Sequence, residues 1–474
     1  MPTDPRRLRG EAPLLDAWLR FHEDRPTPFT IPGHKHRLDL VGDVVAGDVP
    51  LYAGLDTMRL SRGVLAEAER RAARAWGVDL CRFSTGGSTH GNQALALAVG
   101  RPGDRVVVAR TLHRSMLLGL VLAGLTPVWV RPAVDPGHGL PTGVPVDAVA
   151  TALEAEPGAV AVLVGDPSYV GTTGDVAGLA RTAHAHGVPL VVDAAWGAHL
   201  GFHPDLPPHA LALGADALVT SAHKTLPAVS QAALVLARSE RVPRARLDAA
   251  VEATATTSPA GAVLASTDAA RALLERDGAE LLGPVLAAVR RVRDRLAAVP
   301  GLTVLDGPGV DPLRLVLVVG GTGADGTAVE ADLLARGMPV ELADRDTLVP
   351  MVTLADTPHG LEVLADALVD AVERHRGRPR PVAPGAVWTV DPVQALSPRE
   401  AFFAPRQGVP VERAVGRVCA ELVAPYPPGV PVLAPGEVVT PEALDALRSA
   451  AAAGSRIAYA ADAALRTLEV VSEP

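Results

Sequence analysis

Lysine is almost absent from this chain. Of 474 residues two are lysine, Lys35 and Lys224, and arginine makes up the rest of the 44 strongly basic side chains. A guanidinium serves a surface charge as well as an ammonium does, but it keeps its proton and cannot become a nucleophilic amine. A lysine kept against that bias, in TSAHKTLP between two apolar β-type runs, points to covalent chemistry at nitrogen. Cysteine is scarce too. Cys81 and Cys419 lie far apart and form no metal-type spacing, so neither a disulfide framework nor a zinc knuckle is implied, and a reducing compartment is the default. Aromatic residues make up 3%, which leaves Leu, Val and Ala to build the core.

Other absences exclude whole classes. No apolar run approaches the ~20 residues that cross a bilayer, and the basic residues of MPTDPRRLRGEAP lead into no signal-type apolar stretch. The expectation is a cytoplasmic protein with no membrane partner. A net charge of −9 and a pI near 5.9 argue against a general nucleic-acid binder. Neither the Walker A pattern nor G-x-G-x-x-G fits, so a nucleotide is not implied. His34, His36, Asp193 and His199 would be the material for a metal hydrolase, but no HExxH-like spacing accompanies them, and no metal is expected.

What is present is a globular chain, 48% hydrophobic, long enough for two or three domains. Residues 1–55 read as an arm, with a helix over Ala12–His22 and then the irregular TPFTIPGHKHRLDL. Residues 56–262 read as a large α/β domain that opens with an amphipathic helix, Ser61–Trp76. Residues 263–378 read as a smaller α/β subdomain: a long helix over Thr267–Ala298, a strand in LRLVLVVG and a helix near Thr327–Arg336. The Pro/Arg-rich ERHRGRPRPVAPGAV leads to a C-terminal domain, 379–474.

Within the large domain, apolar runs at Val106–Ala109, Val160–Val164, Val188–Val192, Leu218–Thr220 and Ala232–Leu236 alternate with helical stretches. Strands apolar throughout belong to a mostly parallel sheet covered on both faces, and the ligand of such a sheet sits beyond the strands' carboxyl ends. That rule selects His113, Asp166 with Tyr169, Asp193 with Trp196, and Lys224. Gly86, Gly87, Ser88 and Thr89 open a helix-like run, offering backbone N–H groups and hydroxyls to a phosphate. Asp193 closes an apolar strand, where a carboxylate needs a cation; a protonated ring nitrogen would serve.

A phosphate cradle, a stacking candidate, a buried aspartate and a lysine, in that order, point to pyridoxal 5′-phosphate (PLP). With PGHK (Pro32–Lys35), GST-x-GN (Gly87–Asn92), the His-basic-Ser of His113–Ser115, DAAWGAH (Asp193–His199), SAHKTLPAVSQ (Ser221–Gln231), TTSP (Thr256–Pro259), ELADRD (Glu341–Asp346), LSPREAFFAP (Leu396–Pro405) and PYPPGVPVLAPGE (Pro425–Glu437), the chain resembles the bacterial ornithine/lysine/arginine decarboxylases, in the short form without an N-terminal wing domain. The family's short members usually have an acidic residue and a histidine where this chain has Ala194 and Trp196.

The resemblance implies the PLP-dependent fold type I, an α/β class with a mostly parallel sheet in the large domain and smaller α+β C-terminal domains. It implies that Lys224 bonds the cofactor, Asp193 holds the ring nitrogen protonated and His113 stacks on the ring. Gly87, Ser88, Thr89, Ser221 and His223 would bind phosphate, while Ala195 and Trp196 would line the ring. Lys224 or His223 would return the proton to Cα. A homodimer with shared active sites is implied, in which Thr257 or Thr256 reaches the partner's phosphate. Glu341, Asp344 and Glu421 are candidate partners for the substrate's distal cation. The reaction implied is decarboxylation of a basic amino acid, arginine first, as in polyamine synthesis. The alternatives are an aminotransferase or aldolase of the same fold and a catalytically silent PLP-binding protein.

Overall fold

The computed structural model describes residues 4–24, 26, 29–51, 54–55, 63–381, 386–426 and 429–472. Its centre is a seven-stranded sheet. In chain order the strands are β1 (Leu80–Ser84), β2 (Arg105–Ala109), β3 (Thr126–Val130), β4 (Ala159–Gly165), β5 (Leu190–Asp193), β6 (Ala217–Ser221) and β7 (Ala233–Ala237), and across the sheet the order is β1-β7-β6-β5-β4-β2-β3. From β3 to β6 every pairing is parallel, while β7 lies antiparallel to both β6 and β1. Two antiparallel steps restore direction, so β1 runs with β6. The segments that follow β1, β2, β4, β5 and β6 therefore emerge at one edge, where ligands of such sheets bind.

The five expected strands are present as β2, β4, β5, β6 and β7, with ends shifted by one or two residues. β5, β6 and β7 are buried throughout, in keeping with their unbroken apolar composition. β3, TPVWV, was not among them. It is the outer strand beside β2, where Pro127 is tolerated because one side needs no ladder bond.

The first helix covers Pro13–Asp24. The amphipathic helix described runs over Val64–Ala75; Ser61 and Arg62, with which it was expected to begin, lie outside the described residues, as do Pro427 and Pro428 of the YPPG motif. Gly261–Ala297 forms a single 37-residue helix that begins in the large domain and carries the chain into the smaller one, starting earlier than expected. There a four-stranded antiparallel sheet, β8 (Thr303–Val304), β9 (Leu317–Val318), β10 (Leu342–Ala343) and β11 (Thr347–Val349), replaces the single strand expected in LRLVLVVG. Only Leu317 and Val318 of that run pair; Arg314 lies ahead of the strand and turns its side chain inward.

The C-terminal domain has its own apolar cluster around Val423, Leu433, Leu447 and Val470. It is organised by two ribbons: β12 (Arg406–Pro410) with β15 (Thr467–Val471), and β13 (Ala424–Tyr426) with β14 (Arg456–Ala458). A buried ion pair fastens it to the large domain: Arg110, just after β2, grips the Glu437 carboxylate with both terminal nitrogens and donates a further 2.8 Å bond to the carbonyl of Val432.

Candidate active site

Two neighbouring strand ends, those of β5 and β6, deliver the chemistry. Asp193 is the last residue of β5, Ser221 the last of β6, and Lys224 stands in the short helix Ala222–Thr225 that follows. Trp196 comes three residues after Asp193 and is buried; Lys224 Nζ lies 3.9 Å from the centre of its ring. Burial and the positive field of Arg314 draw the Lys224 pKa below the ordinary lysine value, while Asp193 and Glu341 oppose the shift. A lysine amine made easier to deprotonate is a nucleophile in waiting.

Asp193 is fixed by a polar network. Asn92 Nδ2 donates to Asp193 Oδ2 at 2.7 Å and to Ser115 Oγ at 2.8 Å, and the backbone N–H of Ala195 donates to Asp193 Oδ1 at 3.2 Å. Ser115 Oγ lies 2.9 Å from His113 Nδ1, which also accepts from the Ser115 backbone N–H. His113 Nδ1 is thus an acceptor, which places the ring proton on Nε2. Desolvation of the imidazole, with the charges of Lys224 and Arg114, depresses its pKa against the pull of Asp193.

The phosphate-type cradle lies where β1 turns into the helix Gly87–Val99. Gly87 takes φ +68°, a left-handed conformation glycine adopts without strain, and its N–H is anchored on the carbonyl of Gln231 at 2.9 Å. One turn on, a Cβ at Gly91 would stand 2.4 Å from Val219 Cγ2, so glycine lets this helix lie flat on β6. The first-turn N–H groups of a helix have no partner within it, which leaves those of Ser88 and Thr89 available to an anion. Ser221 Oγ, Thr225 Oγ1 and Asn92 Oδ1 are buried and unpartnered among the described residues. Orphaned buried hydroxyls are costly unless a ligand satisfies them, and these fit a group with phosphate oxygens at one end. His223 donates from Nδ1 to the carbonyl of Ala232 at 2.9 Å.

The three candidate acids separate. Glu341 accepts a 3.2 Å hydrogen bond from the Tyr169 hydroxyl, and the Tyr169 ring meets Trp196 edge-on with centroids 5.1 Å apart, so Glu341 stands at the mouth of the Lys224 cleft. Asp344 instead accepts from the backbone N–H groups of Asp346 and Thr347, holding the turn before β11. Glu421 accepts from Ala461 and Glu469 within the C-terminal domain. Both carboxylates are already taken by backbone N–H groups. Thr256 and Thr257 are exposed and line a cavity of about 620 Å³ with Pro32, Phe83 and His90, which neither Lys224 nor Asp193 lines. His199 is paired with Asp311 at 3.0 Å; no cluster of three or more metal-type ligands occurs among the described residues.

Sequence reasoning missed Arg314. It is buried, its guanidinium lies 4.7 Å from the Trp196 ring, and among the described residues it forms no ion pair; one terminal nitrogen meets Met351 Sδ at 3.6 Å. The signal was a lone arginine inside the apolar run DPLRLVLVV. Ser115, which the sequence offers only as the end of the His-basic-Ser motif, is the link between His113 and Asn92.

A parallel sheet with a lysine, an aspartate and an anion-ready helix start at one edge defines a fold type I enzyme, the class of PLP-dependent catalysts. The chain matches the Orn/Lys/Arg decarboxylase major domain over residues 12–311 and that family's C-terminal domain over 385–457, and it belongs to this family of amino-acid decarboxylases. It is 32% identical over 481 residues to an arginine decarboxylase of Halalkalibacterium halodurans, covering 98% of each chain, and 31% identical to one of Bacillus anthracis with the same coverage. Among solved structures it is similar to lysine decarboxylase A from Pseudomonas aeruginosa, with a TM-score of 0.82 at 21% identity over 97% of this chain and 80% of the other. A serine palmitoyltransferase from Sphingomonas wittichii shares the core, with a TM-score of 0.55 at 16% identity over 65% of this chain and 76% of the other.

Proposed function

We propose that the chain decarboxylates L-arginine to agmatine and carbon dioxide with PLP held at Lys224, in a cytoplasmic homodimer serving polyamine synthesis. The observation that carries the reading is the placement of Lys224 against Trp196 at the edge closed by Asp193. When bound, PLP supplies the electron sink that takes up the electron pair of the Cα–carboxylate bond. Lys224 would be its covalent attachment point, and Asp193, oriented by Asn92 and the Ala195 N–H, would hold a proton at the ring nitrogen. His113 packs on the ring; Ser88, Thr89, Ser221, His223 and the Gly87 turn take the phosphate; Ala195 and Trp196 line the ring. Lys224 or His223 returns the proton to Cα.

Glu341 faces the distal cation, because a buried cation without a carboxylate is expensive. Arginine is favoured over lysine and ornithine because the full-length relatives at about 30% identity are arginine decarboxylases. Thr257, exposed and lining a cavity that Lys224 does not, is assigned to the partner subunit's phosphate. The test is carbon dioxide release from arginine, lysine and ornithine at equal concentration with the amines identified. Agmatine from arginine is expected. Turnover of lysine or ornithine alone overturns the arginine assignment, and a keto acid formed with an amino acceptor overturns the reaction.

A further inference from the structure

Arg314 reaches the cleft from the smaller domain. Its backbone is fixed ahead of β9, where its N–H donates to the carbonyl of Asp311 at 2.9 Å and its own carbonyl accepts from Arg293 Nη2 at 2.5 Å. The side chain then passes over the backbone of Gly171 in the large domain: a Cβ at Gly171, which takes φ +81°, would stand 2.3 Å from Arg314 Cγ. Beyond that glycine the guanidinium comes to rest 4.7 Å from the centre of the Trp196 ring, the same ring that Lys224 Nζ meets at 3.9 Å. Two cations share one buried indole.

Four arginines are buried among the described residues: Arg110, Arg271, Arg293 and Arg314. Three of them are met by carboxylates. Arg110 has Glu437, Arg271 has Asp268 and Glu275, and Arg293 has Asp306. Arg314 has none among the described residues. The acids whose charge it feels are committed elsewhere, Asp311 to His199 at 3.0 Å and Glu341 to the Tyr169 hydroxyl. Its Nη1 meets only Met351 Sδ, a weak acceptor, at 3.6 Å, and its Nε is buried without a partner. Burying a cation unpaired is strongly unfavourable. Where a buried arginine is structural this chain sets an acid against it, so the anion missing at Arg314 is one that arrives from outside.

We propose that Arg314 is a substrate-binding residue whose guanidinium receives the α-carboxylate of the amino acid. The substrate's α-nitrogen takes over the attachment that Lys224 makes, and the carboxylate, one carbon away, then falls beside the ring on which Arg314 rests. The other charges are already provided for, phosphate by the start of the helix Gly87–Val99 and the distal cation by Glu341. A guanidinium suits the task because its planar fork matches a carboxylate. The contact is strongest in the bound substrate and fades as the carboxylate departs as neutral carbon dioxide, so it orients the leaving group without holding the product. The inference rests on the decarboxylase reading of the cleft and deepens it, naming the side chain that meets the group to be lost.

The experiment compares the full-length holoenzyme with Arg314→Met and Arg314→Lys, each checked by circular dichroism. KM and kcat are measured for arginine, and competitive inhibition for agmatine and L-argininamide, which keep the guanidinium and the amine but carry no carboxylate. Arg314→Met is expected to raise KM for arginine about ten- to hundredfold, the factor carried by a hydrogen bond between charged groups, with a smaller effect on kcat and almost none on either inhibitor. Arg314→Lys keeps a cation and should restore part of the loss. In cofactor-free protein Arg314→Met should melt no lower than the parent, because it removes an unpaired buried charge. Equal shifts for arginine and for the two inhibitors, an unchanged KM, or a lower melting temperature in Arg314→Met overturn the proposal. Parent enzyme that releases carbon dioxide from no basic amino acid refutes the decarboxylase reading instead; Arg314 is then judged by direct binding of arginine against agmatine to parent and Arg314→Met, where a selective loss of arginine sustains its role and an equal loss overturns it.

Discussion

Asn92 Nδ2 lies 2.7 Å from Asp193 Oδ2, and the same nitrogen donates to Ser115 Oγ. A carboxylate closing a fully buried strand is thereby aimed by a neutral amide rather than by a cation in the protein. A bound ring nitrogen is the cation this arrangement leaves room for. Asp193→Asn keeps the volume and removes the charge; loss of roughly 3 kcal/mol of transition-state stabilisation, about a hundredfold or more in kcat, is expected. Asn92→Ala leaves the charge and removes its orientation, so a smaller fall is expected, on the order of tenfold, from losing a hydrogen bond to a charged group. Steady-state kinetics on both variants checks the order; near-normal turnover in Asp193→Asn refutes the role given to that residue.

Arg110 and Glu437 make a different kind of contact, a fully buried bidentate ion pair between two domains. Removing one partner strands the other charge in a low-dielectric interior, which typically costs about 3 to 5 kcal/mol. Glu437→Ala and Arg110→Ala should each show losses of this order in denaturant unfolding. The doubly apolar Arg110→Met/Glu437→Leu should recover much of it. A double variant no better than the singles would mean that the pair holds the domains by more than mutual compensation.

Asp166, at the end of β4, has its carboxyl pushed up by burial to about 7, against the opposing 2.6 Å bond from the Gly174 N–H. An unfolded aspartate titrates near 3.9, so between roughly pH 4 and pH 7 the native state binds a proton that the unfolded state has released. Stability from this group is complete below the unfolded value and is lost once pH passes the folded one. Asp166→Asn escapes that loss. The melting temperature of Asp166→Asn minus that of the parent should grow from pH 4 to pH 7 and level off above; a difference independent of pH would show that Asp166 ionises normally.

The sheet and its ligand edge were readable because strands covered on both faces write unbroken Val, Leu and Ala runs, and β5, β6 and β7 are buried throughout. β3 was not readable. Pro127 argues against a strand everywhere except at a sheet margin, and position in a sheet is a tertiary property. Lys224 and Asp193 stood out by scarcity and by setting, and the structure brings them to one edge with His113 and Trp196. Asp344 and Glu421 look no different from Glu341 as letters. What separates them is whether a backbone N–H has already taken the carboxylate, which depends on turns the sequence does not spell out. Arg314 escaped notice for a related reason: it lies far along the chain from Lys224 and meets it only across the Trp196 ring, a neighbourhood the fold creates.

Lys224 gives the most direct test of the chemistry. Its amine is shifted toward the neutral form by burial and by Arg314, and it lies against Trp196 with the depth needed to meet a carbonyl carbon. Lys35, the other lysine, is placed on the arm, where its ammonium contacts the carbonyl of Thr30. Borohydride treatment of the holoenzyme followed by peptide mapping should therefore place a reduced cofactor adduct on the peptide containing SAHKT and leave PGHK unmodified. Lys224→Arg preserves the positive charge and the ring contact but cannot form the carbon–nitrogen bond, so it should bind PLP weakly and reversibly, retain the parent's melting behaviour without cofactor, and turn over no arginine. Label on Lys35, or measurable turnover in Lys224→Arg, would remove Lys224 from the centre of the reaction.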